Sequence, residues 1–230
     1  MEKQQEQNVA KLGAYATLFG SICMLAGAAV MGAAGADIDL SLYDNDMKGY
    51  LAKALSTQNL LILNLSLWIL GVILLGAGAT MMAELSGQNP VRAQLVRYNY
   101  WIAVPLVVVS YMAWLAVVVR LGPSSSPEAA AIAEALGWFA VRADWVATVL
   151  VLGTGPVLLT AAGRGGWAPN WLRIWSYLAF FTGILTTIAQ YAGGLTTYGF
   201  LIIPVGMSWM IAASVVLFGG SHRKAWLIEG

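Results

Sequence analysis

The sequence predicts an all-α protein: a polytopic membrane helix bundle of about six transmembrane helices, with both termini on the cytoplasmic side. Three observations carry that expectation. Charge is scarce, apolar stretches recur at span length, and lysine and arginine are unevenly distributed among the connections. Hydrophobic residues make up 59% of the 230 positions and charged residues 10%, where an average soluble domain carries roughly 25% charge. A soluble domain so poor in polar groups could not cover its own surface, so its apolar side chains must face lipid. Ten Trp and nine Tyr fit the same setting, because amphipathic rings gather where hydrocarbon meets headgroups.

About 20 apolar residues cross roughly 30 Å of hydrocarbon. The charge-free runs place spans near 12–35, 60–83, 98–120 and 141–163. The next run, from Ile174 to Ser221, holds no charge at all and would make a helix of about 70 Å, more than twice the bilayer. It must be two spans with a turn, placed at Gly193-Gly194 and Thr196-Thr197-Tyr198-Gly199 by the glycines and β-branched residues there. The fifth span is expected near 171–193 and the sixth near 199–220. The whole chain, 1–230, reads as one transmembrane domain with outer loops at 36–59 and 121–140.

Orientation follows from the positive residues. Lys3, Lys11, Arg92, Arg97, Arg164, Arg173, Arg223 and Lys224 fall on the N-terminal side, and Lys48, Lys53, Arg120 and Arg142 on the other. The acidic stretch of Asp37, Asp39, Asp44 and Asp46 then lies outside. Ala34-Gly35-Ala36 resembles a signal-peptidase site, but the apolar run before it exceeds the 7–15 residues of a signal core, so an uncleaved first span is expected. A short helix is predicted around Met47–Thr57. Another should begin at Pro127, with Ser126 as N-cap and Glu128 at the positive end of the helix dipole, and either bend near Gly137 or run on as a long fourth span.

Gly13, Gly20 and Gly27 recur every seven residues, with Gly32 and Gly35 following, and Gly199 and Gly206 repeat the interval. Such stripes read first as packing seams where two backbones approach closely. Pro105, Pro156 and Pro204 sit inside spans, where each removes a backbone hydrogen bond and is expected to kink its helix; broken helices of this kind line the substrate sites of many transporters. Asn64 and Gln190 carry the largest polar groups within the spans. An interhelical hydrogen bond is the simpler use for each, and a small polar pathway the functional one.

The spans place no ionisable group at mid-membrane, where proton-coupled transporters keep an Asp, Glu or His. Arg120, Arg142 and Asp144 lie near the outer boundary. Arg142 and Asp144 are two residues apart and so point to different faces of their helix, and Arg120 is placed to pair with Asp144. A boundary salt bridge with snorkelling arginines is the bland reading; an outward-facing anion or headgroup site is the functional one.

One cysteine, Cys23, and one histidine, His222, are too few for bis-histidine haem, iron–sulfur, zinc or histidine-rich copper sites. No cofactor is expected beyond bound lipid. Asp37-Ile38-Asp39-Leu40-Ser41 matches the opening of an EF-hand loop, but Leu42 and Lys48 stand where Gly and a bidentate Glu are required. Asp37, Asp39, Asp44 and Asp46 are left as weak calcium candidates in a solvated loop. Gly163-Arg164-Gly165-Gly166 is too short for a phosphate loop, and His222-Arg223-Lys224 reads as an anchor to anionic lipid. A net charge of +1 leaves no basic field for nucleic acid.

Trp167-Ala168-Pro169-Asn170-Trp171-Leu172 leads into a Gly-containing span, and Pro204 to Trp209 opens a final span closed by a basic tail. This pattern resembles small six-helix bacterial inner-membrane proteins known only as a domain of unknown function. The resemblance covers about a third of the chain and implies a multi-pass inner-membrane architecture and a bacterial source.

The expected function is therefore non-enzymatic: an accessory or scaffolding subunit of a membrane complex, or a binder of a lipid-like ligand. Expected partners are membrane lipid, other membrane subunits or a second copy of the chain. A small transporter or channel for a neutral or weakly polar solute is the alternative, using the three proline kinks with Asn64 and Gln190. A membrane enzyme is third, and it requires Asp144, Glu134 and the loop carboxylates to converge on one outer pocket.

Overall fold

A computed structural model describes residues 3–85, 90–124, 126–192 and 196–226; for 3, 196, 197 and 220–226 it describes the backbone helix alone. The described chain is helical throughout, with ten α-helices: α1 (Lys3–Ala34), α2 (Ile38–Tyr43), α3 (Met47–Ser56), α4 (Gln58–Glu84), α5 (Pro90–Ala116), α6 (Pro127–Thr148), α7 (Gly155–Ala162), α8 (Asn170–Ala189), α9 (Thr196–Gly199) and α10 (Ile202–Trp226). A π-helical turn, Val117–Leu121, extends α5, and another, Val149–Thr154, joins α6 to α7. Six helical runs are long and apolar enough to cross a membrane: Gln4–Ala34, Gln58–Glu84, Pro90–Leu121, Pro127–Ala162, Asn170–Ala189 and Ile202–Gly219. The six expected spans are all present, and the chain is a multi-pass membrane protein.

Within the stretch 121–140, α6 starts at Pro127 as expected, with Ser126 Oγ accepting from Ala129 N–H at 3.1 Å. It continues as helix through Gly137, the long run that was one of the two expected courses. The missing side chain there makes room for Ile38 of α2, whose Cδ1 would lie 2.8 Å from a Cβ at Gly137. The short helix expected at Met47–Thr57 is α3, held by Asp46 as N-cap. The expected turn at Gly193-Gly194 lies outside the described residues, and Thr196–Gly199 forms the single turn of α9. The side chains of His222, Arg223 and Lys224 also lie outside them.

The contacts divide the chain into two compact units. One comprises Met1–Ser21, Ile73–Val104 and Val146–Gly230; the other comprises Ile22–Val72 and Pro105–Trp145. The first is organised around the π turn before α7. Gly153 and Gly183 approach so closely that a Cβ on Gly153 would lie 3.3 Å from the Gly183 Cα, and a Cβ on Gly206 would meet Leu152 at 2.5 Å. Trp209, fully buried, donates from Nε1 to the Leu172 carbonyl at 2.9 Å. Gly13 faces Met81 and Gly78 at the same kind of seam. Gly32 departs from its stripe, having nothing within reach of an added Cβ, and Gly35 has a different use: at φ +60° it ends α1, a left-handed turn that glycine takes without steric cost.

The prolines act differently from the expected set of three kinks. Pro204 is the third residue of α10, in the first turn, where helix N–H groups have no partner anyway. Pro105 is interior to α5. Pro156 is absorbed by the π turn. Gly155 N–H reaches back five residues to the Leu150 carbonyl, leaving the Val151 carbonyl to the next N–H, which Pro156 lacks. Tyr100 of α5 supplies the donor, its hydroxyl 3.2 Å from that carbonyl. Asn99 adds a bond at 2.9 Å to the Leu150 carbonyl.

In the second unit the same arrangement recurs. Gly122 N–H reaches the Val117 carbonyl at 3.0 Å, Pro123 has no N–H for Val118, and the Gln58 amide donates to the Val118 carbonyl at 3.3 Å. An unpartnered carbonyl buried from water costs about 1–3 kcal/mol. Tyr100→Phe should therefore destabilise the protein by about that amount, while the same change beside Pro156→Ala, which restores an N–H, should cost measurably less. Thermal unfolding of the four variants in detergent, read as a double-mutant cycle, checks this; equal costs in both backgrounds would contradict it.

Candidate functional site

Within the second unit the acidic segment folds back on α6. Asp37 caps α2, its Oδ1 accepting the Asp39 N–H at 2.9 Å, and Asp46 caps α3 through the Gly49 N–H at 2.9 Å. Between the two helices Asn45 adopts φ +54°, a left-handed conformation that Asn tolerates better than most residues. Two of the four aspartates are thus committed to helix termini, and Asp44 is exposed just beyond α2. Among the described residues no group of three or more His, Cys, Asp or Glu is placed to hold a metal ion.

Asp39 is the exception. It is 7% exposed and accepts the Trp145 indole N–H at 2.9 Å, so one carboxylate ties α2 to α6. Together with Ile38 against Gly137, this bond fixes α2 alongside the second half of α6. Where the two helices diverge they leave a pocket of about 560 Å³, lined by Asp39, Leu42, Tyr43 and Asn45 on one side and Ala131, Glu134, Ala135, Trp138 and Arg142 on the other. The α6 wall follows from helix periodicity: 131, 135, 138 and 142, with 134, fall on one face at spacings of three and four.

Arg142 is pinned in place by its surroundings. Its guanidinium lies 5.9 Å from the centre of the Tyr43 ring and 5.8 Å from that of Trp138, within cation–π range, and Asp39 is near enough to feel its charge. Burial pushes the Asp39 carboxyl up from the usual carboxylate range; the Trp145 N–H opposes this, Asp37 reinforces it and Arg142 opposes it. Asp37 is also pushed up by burial, against the N–H groups of Leu40 and Asp39. Behind the pocket, Trp114 donates to the Tyr50 hydroxyl at 2.6 Å, and Trp68 packs on Tyr111 and Trp114 with ring centres 5.2 and 6.0 Å away.

The expected site residues separate. Arg142 and Asp144 do face different ways: Arg142 lines the pocket, and Asp144 shares a hydrogen bond with the Tyr111 hydroxyl. The expected pairing of Arg120 with Asp144 does not form, because Arg120 sits exposed on the π turn after α5, whose widened register turns it outward. Asn64, fully buried, donates to the Gly27 carbonyl at 2.9 Å, the interhelical bond that was its simpler use. Gln190 forms the C-cap of α8 and belongs to the other unit. Of the carboxylates required to converge, Asp39 and Glu134 share one pocket; Asp144 does not line it. Tyr43 and Trp138 went unnoticed in the sequence. Glu134, Trp138 and Arg142 at intervals of four were the available signal, but only the fold brings α2 against them.

Because the native carboxyl of Asp39 is raised above its unfolded value, the folded state holds a proton there that the unfolded state has already released. Stability at this residue therefore falls as pH rises through the window between the ordinary carboxylate value and the raised one. Asp39→Asn keeps an acceptor for Trp145 and removes the charge. It should melt a few degrees above the parent at neutral pH, with the gain shrinking as the pH falls below that window. Melting curves from pH 4 to 8 test this, and a variant destabilised at neutral pH would contradict it.

Comparison with protein families, curated proteins and solved structures finds no match to this chain.

Proposed function

We propose that this chain is a multi-pass protein of a bacterial inner membrane, with both termini cytoplasmic, that binds a lipid-like ligand in the pocket between α2 and α6. The observation that carries the reading is the pocket itself: a guanidinium pinned by two aromatic rings, beside two carboxylates and the apolar Leu42, Ala131 and Ala135. Small-molecule sites combine apolar walls with a few fixed polar groups in this way.

The position on α6 supports it. The run Pro127–Ala162 has 36 residues, about 54 Å of helix against roughly 30 Å of hydrocarbon. Its charge-free part, Trp145–Ala162, is enough to span, so the pocket stripe from Ala131 to Arg142 belongs to the turns beyond it, at headgroup depth. Arginine and tryptophan are both at home there. The inward excess of Lys and Arg, eight against four, puts this end outside.

Two carboxylates in one pocket are the specific observation in favour of a second reading, acid–base chemistry on the bound lipid by Asp39 and Glu134.

Filling the pocket with Ala135→Trp should reduce lipid retained through detergent exchange by about tenfold, measured by native mass spectrometry of protein released from nanodiscs. The exchange at 135 adds bulk at an exposed position and spares the buried core. Unchanged lipid retention would sink the binding reading. Mass analysis of the lipids from the same nanodiscs tests the second: turnover predicts new lipid species with the parent and none with the Asp39→Asn, Glu134→Gln double variant.

A further inference from the structure

Resting on that binding reading, we propose that the pocket recognises a zwitterionic aminophosphate headgroup, its phosphate on Arg142 and its primary ammonium on Glu134. Glu134 and Arg142 lie eight residues apart on α6, about 12 Å between Cα atoms, too far to pair as neighbouring turns do. Side chains lean toward the N-terminus of a helix, so the guanidinium of Arg142 is carried toward Trp138, where it is found at 5.8 Å from the ring centre. Along the pocket wall the order is then carboxylate, ring, guanidinium: two opposite charges held apart, with room between them for a dipolar group.

Each end has a preferred partner. Guanidinium carries five N–H donors in a planar fork, and the fork matches phosphate oxygens. Glu134 is exposed and half-enclosed by Ala131 and Ala135, so an ammonium reaches it without burying an uncompensated charge. A quaternary ammonium is disfavoured. Such groups are recognised on open aromatic faces, and here Tyr43 and Trp138 both have Arg142 against them. The site therefore selects an ammonium that donates hydrogen bonds. Phosphoethanolamine chemistry meets all these conditions, whether on a lipid or as a soluble headgroup.

The test uses the full chain in nanodiscs holding equal parts of phosphatidylethanolamine, phosphatidylcholine and phosphatidylglycerol with identical acyl chains, followed by native mass spectrometry. Wild-type protein should retain phosphatidylethanolamine about tenfold over each of the others, the value of one charge-assisted hydrogen bond. Glu134→Gln, an isosteric change at an exposed position, should bring phosphatidylethanolamine and phosphatidylglycerol to parity, while Arg142→Gln should lower retention of both. Equal retention of the three lipids by wild type, or a preference untouched by Glu134→Gln, overturns the proposal while leaving lipid binding intact, provided Ala135→Trp still lowers retention. Indifference to Ala135→Trp overturns the binding reading as well. Competition by millimolar glycerophosphoethanolamine supports the proposal with a soluble ligand, and retention unaffected by it supports the proposal with the membrane lipid.

Discussion

The structure depends on one constraint: inside hydrocarbon every backbone N–H and C=O needs a partner from the protein, since no water is there to supply one. Continuous helices meet it for most of the chain. The informative places are where the helical ladder is interrupted, and both π turns show one solution. A Gly–Pro pair closes the widened turn. The glycine N–H reaches back five residues, the proline leaves one carbonyl without a donor, and a side chain from another helix takes its place: Gln58 at Val118 and Tyr100 at Val151. Most Ser and Thr hydroxyls of these helices instead bond back to a carbonyl of their own helix, three to five residues before. Asn64, Trp68 and Trp209 also spend their N–H groups on carbonyls of neighbouring helices. Each of these bonds ties one helix to the backbone of another.

Where the helix leaves hydrocarbon the constraint relaxes and the chemistry changes. Ionised groups are affordable at that depth, and the acidic segment uses them in two ways. Asp37 and Asp46 cap the starts of helices; Asp39, two residues after Asp37, bonds Trp145 of α6. The pocket is a by-product of that clasp. Two helices joined at Ile38–Gly137 and Asp39–Trp145 diverge beyond the joint, and the gap collects the remaining polar face of α6. Arg142 gains its orientation from aromatic rings on both helices, so its position depends on the clasp as much as on its own backbone.

How much of this was legible depended on the range of the interaction. The spans, the start of α6 at Pro127 and the helix α3 follow from local composition, capping and length, and each lies where those rules put it. At Gly137 two courses stood open, a bend or a long fourth span, because a glycine in a helix has two uses, flexibility and clearance, and only the neighbour decides between them; here Ile38 needs the clearance and the helix runs on. Pro204 was misjudged for a related reason. A proline kinks a helix only beyond its first turn, and the helix begins two residues before it. The pocket was half legible. Arg142 stood out as a charge near a boundary, Glu134 as one of the outer carboxylates, and the stripe through Trp138 was present in the spacing, but the Asp39–Trp145 bond that brings α2 against them spans 106 residues of chain, which no local pattern encodes. The same holds for Tyr43, whose contribution exists only because α2 is folded back.

The Gly–Pro turns also bear on how this sequence can change over evolutionary time. A proline at 123 or 156 creates a need for a donor on a different helix, and a glycine before it creates the space for the widened turn. Losing any one of the three leaves the other two disadvantageous. Gly122, Pro123 and Gln58 should thus be inherited together, as should Gly155, Pro156 and Tyr100. Descendant lineages would carry each triplet whole or replace it whole, and those linked substitutions would connect helices far apart in the sequence.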